Sequence, residues 1–460
     1  MPAVQSKNQA EDLTDEKRKK MATTINVHVF LSICQHVITL QSEVMLVREL
    51  CKDDVAATAQ MLSNSSGLIG LLSLFVNQAG GKLSDSTGRK PYLLLGPLGN
   101  VIWGLLVCSY PQSKAVVLFC RIARSVLTTF SNTVMVSAVM ADVFSGKDLA
   151  MASSKVAAVI GVGIVVTPIF ETLILQRAKH PRYTYLALSS LAAVHLLYNS
   201  TCFCETLAAK PVCVSRNSQL AALNPFGFLS IYTRGSQLLK RLVTITSLQM
   251  FLEGKNLSDI VEIWKRSHLK WTIEGSRNFV VTYGVLCVVA GALLTPPLLS
   301  RLSARNFTSL TNHTNALGFF LRGAAERSWV FLLAMLPLLP GVNGASASAL
   351  KALSADLAAA EGFGKGEFSA WTNNLRALSG SAAPVLFGQC YAWCLRRGIY
   401  PGSVFALAGF IGALLPEALL RRVDADELRA AEGMAAAAIQ PPRPLAAPAA
   451  AAAGAPREAK

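Results

Sequence analysis

Charge is what this 460-residue chain has little of: only 15% of its residues are Asp, Glu, Lys or Arg, where soluble proteins carry roughly 25%. With 52% hydrophobic residues beside it, that scarcity excludes a soluble multi-domain enzyme and a disordered scaffold. The ten cysteines show no paired CxxC spacing with nearby histidine, which argues against a zinc site and leaves them as small apolar core residues. The first twenty residues mix acids and bases, and no short apolar stretch with a cleavage site follows them, so we expect no removable targeting segment. Nor is there a Gly-x-x-x-x-Gly-Lys-Ser/Thr loop to bind a nucleotide. The excess of 43 Lys+Arg over 27 Asp+Glu, a net +16, would suggest nucleic acid in a soluble protein. In so apolar a chain it reads as loop charge between membrane spans, and no nucleic-acid partner is expected.

What is present is a succession of apolar runs. Bounded by charge, Pro, Gly or Asn, they fall at about 24–47, 61–80, 92–110, 115–141, 154–175 and 184–204, then about 240–262, 279–299, 309–323, 328–355, 368–395 and 400–421. The expected protein is all-α and embedded in a lipid bilayer, with a cytosolic segment at 1–23, a six-helix bundle at 24–204 and a polar cytosolic linker at 205–239. A second six-helix bundle at 240–422 and a disordered Ala/Pro tail at 423–460 complete it. Loop charge favours both termini on the cytosolic side, although Lys265, Arg266, Lys270 and Arg277 crowd a supposedly external loop. Sliding the chain by about 216 residues aligns Leu83 with Leu299, Arg89 with Arg305 and Pro168 with Pro384. A slightly different offset aligns Ala141-Asp142 with Ala355-Asp356, so the two halves read as a parallel repeat.

Between the second and third runs stands Gly81-Lys-Leu83-Ser-Asp85-Ser-Thr-Gly88-Arg89-Lys90-Pro91. The glycines allow a tight reversal, Asp85 can cap a helix or meet a base, and Arg89 supplies the partner. This pattern resembles the signature loop of the major facilitator superfamily. The resemblance implies twelve transmembrane helices, no cofactor, and rocking of two bundles around a central site. It places Arg121 where the family keeps a membrane-embedded arginine and matches Asp142 to the acid that pairs with the signature-loop arginine. Gly161-Val-Gly163 and Pro168 resemble the antiporter motif, with Thr167 and Glu171 where glycines are expected. The stretch from Gly366 to Pro384 looks most like tetracycline and multidrug exporters.

Ionisable groups at membrane depth are candidate site residues by default. Arg121 and Arg124, three residues apart, need a carboxylate or an anionic solute between them, and Glu171 is one candidate partner; Arg121 is expected to face the central cavity, with Arg124 a structural or rim residue. Gln35, Gln41 and Glu43 in the first run are expected to bind solute or protons, while His36 reads equally as packed or titrating. Glu253 and Lys255 flank Gly254 at an expected helix break, whereas Asp259 and Glu262 are expected to be solvated outside the membrane. Asn343, Trp371, Asn373, Asn374 and Arg376 offer hydrogen bonds and an aromatic wall, with Trp371 equally an interface anchor. The expected function is secondary transport of a small organic solute by a monomer, as proton-coupled efflux. Proton symport or uniport is the alternative, and a transporter-fold sensor without flux is the rival class. The signature cluster of Asp85, Arg89 and Asp142 is expected to hold the bundles together on the cytosolic side and to separate when that side opens.

Overall fold

The computed structural model describes residues 15–144, 146–178, 180–206, 224–428 and 430, which form twelve long helical units and one short connecting helix. Units α1 to α3 are Asp15–Val37 continued by Leu40–Leu50, then Val55–Thr87, then Lys90–Ser109. Unit α4 joins Lys114–Thr128 to Met135–Val143 through a π-helical turn, and α5 and α6 are Gly146–Ala178 and Arg182–Cys202. The short helix Leu229–Arg234 precedes α7, which is Gln237–Gln249, a tight turn at Met250–Leu252, and Gly254–Ser267. Unit α8 runs over Ile273–Val289 and Thr295–Arg301, and α9 is Ala304–Gly323. Unit α10 runs from Ser328–Leu333 through Leu336–Gly344 to Ala345–Ala360. Unit α11 is Lys365–Arg397, and α12 comprises Ser403–Gly409, a π turn and Leu415–Arg421.

Seven of these helices are long and apolar enough to cross a membrane by length and composition: α1, α2, α3, α5, α8, α10 and α12. The remaining five hold much of the interior polarity, including Arg121 and Arg124 on α4, His195 on α6, Glu262 on α7, Arg322 on α9 and Arg376 on α11. Outward faces are apolar, with Leu197 66% and Leu293 71% exposed, as lipid contact requires.

The helix interruptions have local causes. The π turns of α8 and α12 lie just before Pro296-Pro297 and Pro416, which cannot donate to the helical ladder. In α7 the chain is extended at Glu253, and Asn256 Nδ2 satisfies the Met250 carbonyl at 2.9 Å. In α1 the helix breaks at Ile38-Thr39.

Units α1 to α6 pack against one another and so do α7 to α12, and the two sets meet along α2 with α11 and α5 with α8. The first of these crossings is close. A Cβ at Gly70 would stand 2.6 Å from the Ser381 amide nitrogen, so only glycine permits this approach. Residues matched by the internal repeat occupy matching places: Arg89 and Arg305 at the starts of α3 and α9, Pro168 and Pro384 within α5 and α11.

Several expected boundaries move. The segment 15–23, expected before the first span, is already α1 helix. The linker is not wholly polar: Phe228 and Ile231 are buried against Phe368 and Trp371, and 237–239 already belongs to α7. The first residues of the expected tail pack too, since Val423 and Leu428 are buried against Leu238 and Leu242. The supposed external loop shrinks, because Lys265 and Arg266 are helical and paired with Glu262 at 2.5 and 2.7 Å. Cys213 and residues 431–460 lie outside the described residues.

Candidate functional site

Arg121, about two turns into α4, is buried and joins the two sets of helices. Its Nη1 meets Glu43 Oε2 of α1 at 3.1 Å, and its Nη2 meets Asp259 Oδ2 of α7 at 2.8 Å and Ser66 Oγ of α2 at 2.7 Å. Ser66 Oγ in turn donates to Asp259 at 2.9 Å. Arg124, expected as a structural or rim residue, is buried as well, with Glu43 at 3.3 Å and Thr39 Oγ1 at 2.8 Å. Two guanidiniums three residues apart are therefore held by a carboxylate placed between them, Glu43, and by a second one across the interface. His36 is exposed to the inner space beside this group.

Asp259 and Glu262 are not solvated outside, as charge spacing alone suggests. Glu262 is 3% exposed, and accepts from Lys265, Arg266 and Ser276. Burial is sustained because each lone pair finds a cation or hydroxyl, and the helix runs on past the expected end of its apolar run. Arg266 then reaches Gln41 Oε1 at 2.8 Å, tying α7 to α1.

Glu171 is also placed differently from expectation. Its fully buried carboxylate accepts from the Gln41 and Ser42 amides at 2.9 and 2.8 Å and from the Ser42 hydroxyl. These are the second and third residues of the helix Leu40–Leu50, whose first amides have no intrahelical partner, so α5 caps the broken α1 from outside. Glu171 meets neither arginine.

Gln35 turns away from the inner space. It bonds His195 Nδ1 at 2.8 Å and Asn100 Nδ2 at 2.7 Å, within a buried polar network completed by His28 and Asn199. Trp371 does not line the site, because it is covered: Phe363, from the turn between α10 and α11, packs edge-on, and Gly227 of the connecting segment lies against its indole. Asn373 is exposed, and Asn374 donates to the Pro225 carbonyl at 3.0 Å. The Asn343 side chain lies outside the described residues. At the α7 break, Glu253 bridges Arg376 Nε at 2.6 Å and Lys255 Nζ at 3.8 Å.

In the signature segment the helix α2 continues to Thr87, and only Gly88, at φ 98°, makes the reversal. Gly81, Leu83 and Asp85 fall in the last turns of α2, and their side chains lie outside the described residues. Arg89 Nε meets Asp142 Oδ2 at 3.0 Å, and its Nη1 donates to Ser84 Oγ. Glu205, which no sequence pattern marked, accepts from the Arg89 and Lys90 amides at 2.8 and 3.0 Å and so caps α3. Lys90 Nζ reaches the Ser200 carbonyl at 2.8 Å. The Arg89–Asp142 pair lies wholly within the first six units and does not link the two halves. Among the described residues, hydrogen bonds between halves run from mid-depth to the other end: Gln60 with Gln389 and Arg396, Ser381 with the Gly67 carbonyl, Gln176 with Glu274. Of the expected gate cluster, Arg89 and Asp142 are paired, and the Asp85 side chain lies outside the described residues.

The profile of the Major Facilitator Superfamily matches residues 31–384. The chain belongs to that superfamily. It is an integral, multi-pass membrane protein and a transporter by family. This superfamily member is 27% identical over 266 residues to the tetracycline resistance protein, class C, of Escherichia coli. That match covers 57% of this chain and 64% of the relative. It is 23% identical over 336 residues to the class H protein of Pasteurella multocida, covering 73% and 80%. Among solved structures, a peptide transporter POT in complex with sulfate superposes with TM-score 0.69 at 15% identity, over 93% of this chain and 99% of that one. The human organic anion transporter MFSD10 superposes at 0.64 and 16% identity, over 88% and 99%. These superpositions establish the fold alone.

Proposed function

We propose that the protein moves a small organic solute by alternating access and couples its efflux to proton entry. The observation that carries this is the buried junction of Arg121 with Asp259 and Glu43, which spans the two halves at mid-depth. Opening the far end requires α4 and α7 to part, and this charge-assisted contact opposes it by about 1.5–3 kcal/mol. A proton on Asp259 removes the charge that Arg121 holds, loosens the junction and lets the halves separate. Coupling then follows, since the conformational change is conditional on carboxylate occupancy. Orientation with the signature end in the cytosol completes the reading, as loop charge supports. Similarity to tetracycline resistance proteins supports the export direction.

The test is reconstitution in proteoliposomes with a panel of labelled solutes, with and without an imposed pH gradient. Solute movement that acidifies the compartment it leaves is the expected result. Flux indifferent to the gradient would sink proton coupling and favour uniport.

A further inference from the structure

Charge is balanced differently on the two walls of the inner space. On one, Arg121 and Arg124 are matched by Glu43 and Asp259. On the other, Lys255, Lys351 and Arg376 gather around a single carboxylate, Glu253. Glu253 is already shared between Arg376 and Lys255, and Lys351 has no carboxylate within ion-pair distance among the described residues. Of the nearest other acids on these helices, Asp259 is engaged with Arg121, and Asp356 pairs with none of the three cations. Among the described residues two positive charges are left unmatched.

These groups are deep rather than peripheral. Arg376 stands about 16 Å along α11 from its start at Lys365, and Glu253 is about midway along α7, taking about 1.5 Å per residue. Yet the Lys255 and Arg376 side chains are 59% and 47% exposed, and charged groups at that depth are expected to face water rather than lipid. Lys255 stands against α11 at Gly380, where a Cβ would make only an ordinary contact of 3.5 Å with its Nζ. Lys351 is close-packed beside Met250 and Leu375 and beside Thr246, Ser247 and Thr372, whose hydroxyls donate to backbone carbonyls. Cations on a partly apolar wall suit an acidic group carried on a carbon skeleton. Unpaired cations in the membrane are costly, so an anion that neutralises them is favoured there.

We infer that the solute is an organic anion, whose carboxylate or sulfonate is held by the Lys255–Lys351–Arg376 cluster. The inference rests on the transporter reading above and names its substrate class. It also separates this chain's expected cargo from that of the tetracycline resistance proteins it resembles in sequence.

Two measurements on the full-length protein test it. The first is equilibrium binding in detergent, and the second is flux into phosphatidylcholine vesicles. The probes are labelled p-aminohippurate and naphthalenesulfonate as anions, tetraethylammonium as a cation, and tetracycline. The anions are expected to bind at least about tenfold more tightly than tetraethylammonium. Lys351→Gln should weaken anion binding about tenfold, the loss of one charge-assisted contact, while Lys351→Arg should largely retain it. Because Lys351 has no ion-pair partner to orphan, neither variant should impair folding, and thermal melting of both checks this. Anion binding without flux of any probe would sink the transporter reading and uphold the site. Flux of tetraethylammonium or tetracycline without anion binding would overturn the anion assignment and uphold transport. Anion binding unaffected by Lys351→Gln, or no anion binding at all, would also overturn it.

Discussion

Arg121 touches Glu43, Asp259 and Ser66, groups carried by three different helices, and only a planar fork with several donors can reach all three at once. Arg121→Ala should therefore abolish flux. Insertion and folding should largely survive, because Glu43 keeps Arg124 and Asp259 is 20% exposed and can be hydrated. Arg121→Lys keeps the charge but not the geometry, and rescue should be poor, below about a tenth of wild-type flux for the loss of about 1.4 kcal/mol of oriented contact. Near-normal transport by the alanine variant, read in the same vesicles, would remove Arg121 from the site. That Arg121 and Arg124 need an acid between them was legible from spacing. Which acid was not, because Glu43 and Glu171 are both apolar-run carboxylates in sequence, and only the break in α1 decides that one pairs and the other caps. Gln35 illustrates the same limit. It lies next to His36 in the chain, yet the two point to opposite sides of the helix, one into a hydrogen-bonded core and one into the inner space.

Among the helices, α1 depends on a partner to be broken at all. Two amides at the start of Leu40–Leu50 have no helical acceptor and are buried, and Glu171 of α5 satisfies both. Glu171→Leu should cost about 2–4 kcal/mol, two orphaned donors at about 1–2 kcal/mol each, whereas Glu171→Gln retains an acceptor and should lose less. Thermal unfolding in detergent distinguishes them, and equal melting of all three proteins would show that the cap contributes nothing. The crossing of α2 and α11 makes a second helix-level demand. Gly70→Val should destabilise or misfold the protein, since the new Cβ meets the Ser381 backbone rather than a side chain that can move. Expression and monodispersity in size-exclusion chromatography are the readouts, and wild-type behaviour would show that the helices can stand further apart. Apolar runs revealed most of these helices, because period and length survive without tertiary context. The π turns, the crossing at Gly70 and the cap by Glu205 did not show, because each is set by what packs against the helix rather than by its own pattern.

At the scale of the whole molecule, the ties between halves that the described residues make include a set at the far end, and that set makes a prediction about how the protein moves. Gln60 Nε2 donates to Gln389 Oε1 at 2.8 Å and Arg396 Nη2 to Gln60 Oε1 at 2.6 Å, far from the signature end, while Arg89 and Asp142 hold one half together internally. Arg89 ties α2 to α4 through Ser84 and Asp142, and the far-end contacts are expected to be the ones that must part in the transport cycle. Individually these exposed hydrogen bonds are weak, about 0.5–1.5 kcal/mol, so they can exchange with water during turnover. A covalent link at the same place cannot. A Gln60→Cys, Gln389→Cys pair, in a background whose native cysteines are replaced, should form a disulfide under mild oxidant and stop flux by holding the far end shut. Solute binding from the signature side should persist, and reductant should restore turnover. If the oxidised, cross-linked protein transported at the wild-type rate, these helices would not separate in the cycle, and alternating access would have to open the membrane's far side elsewhere.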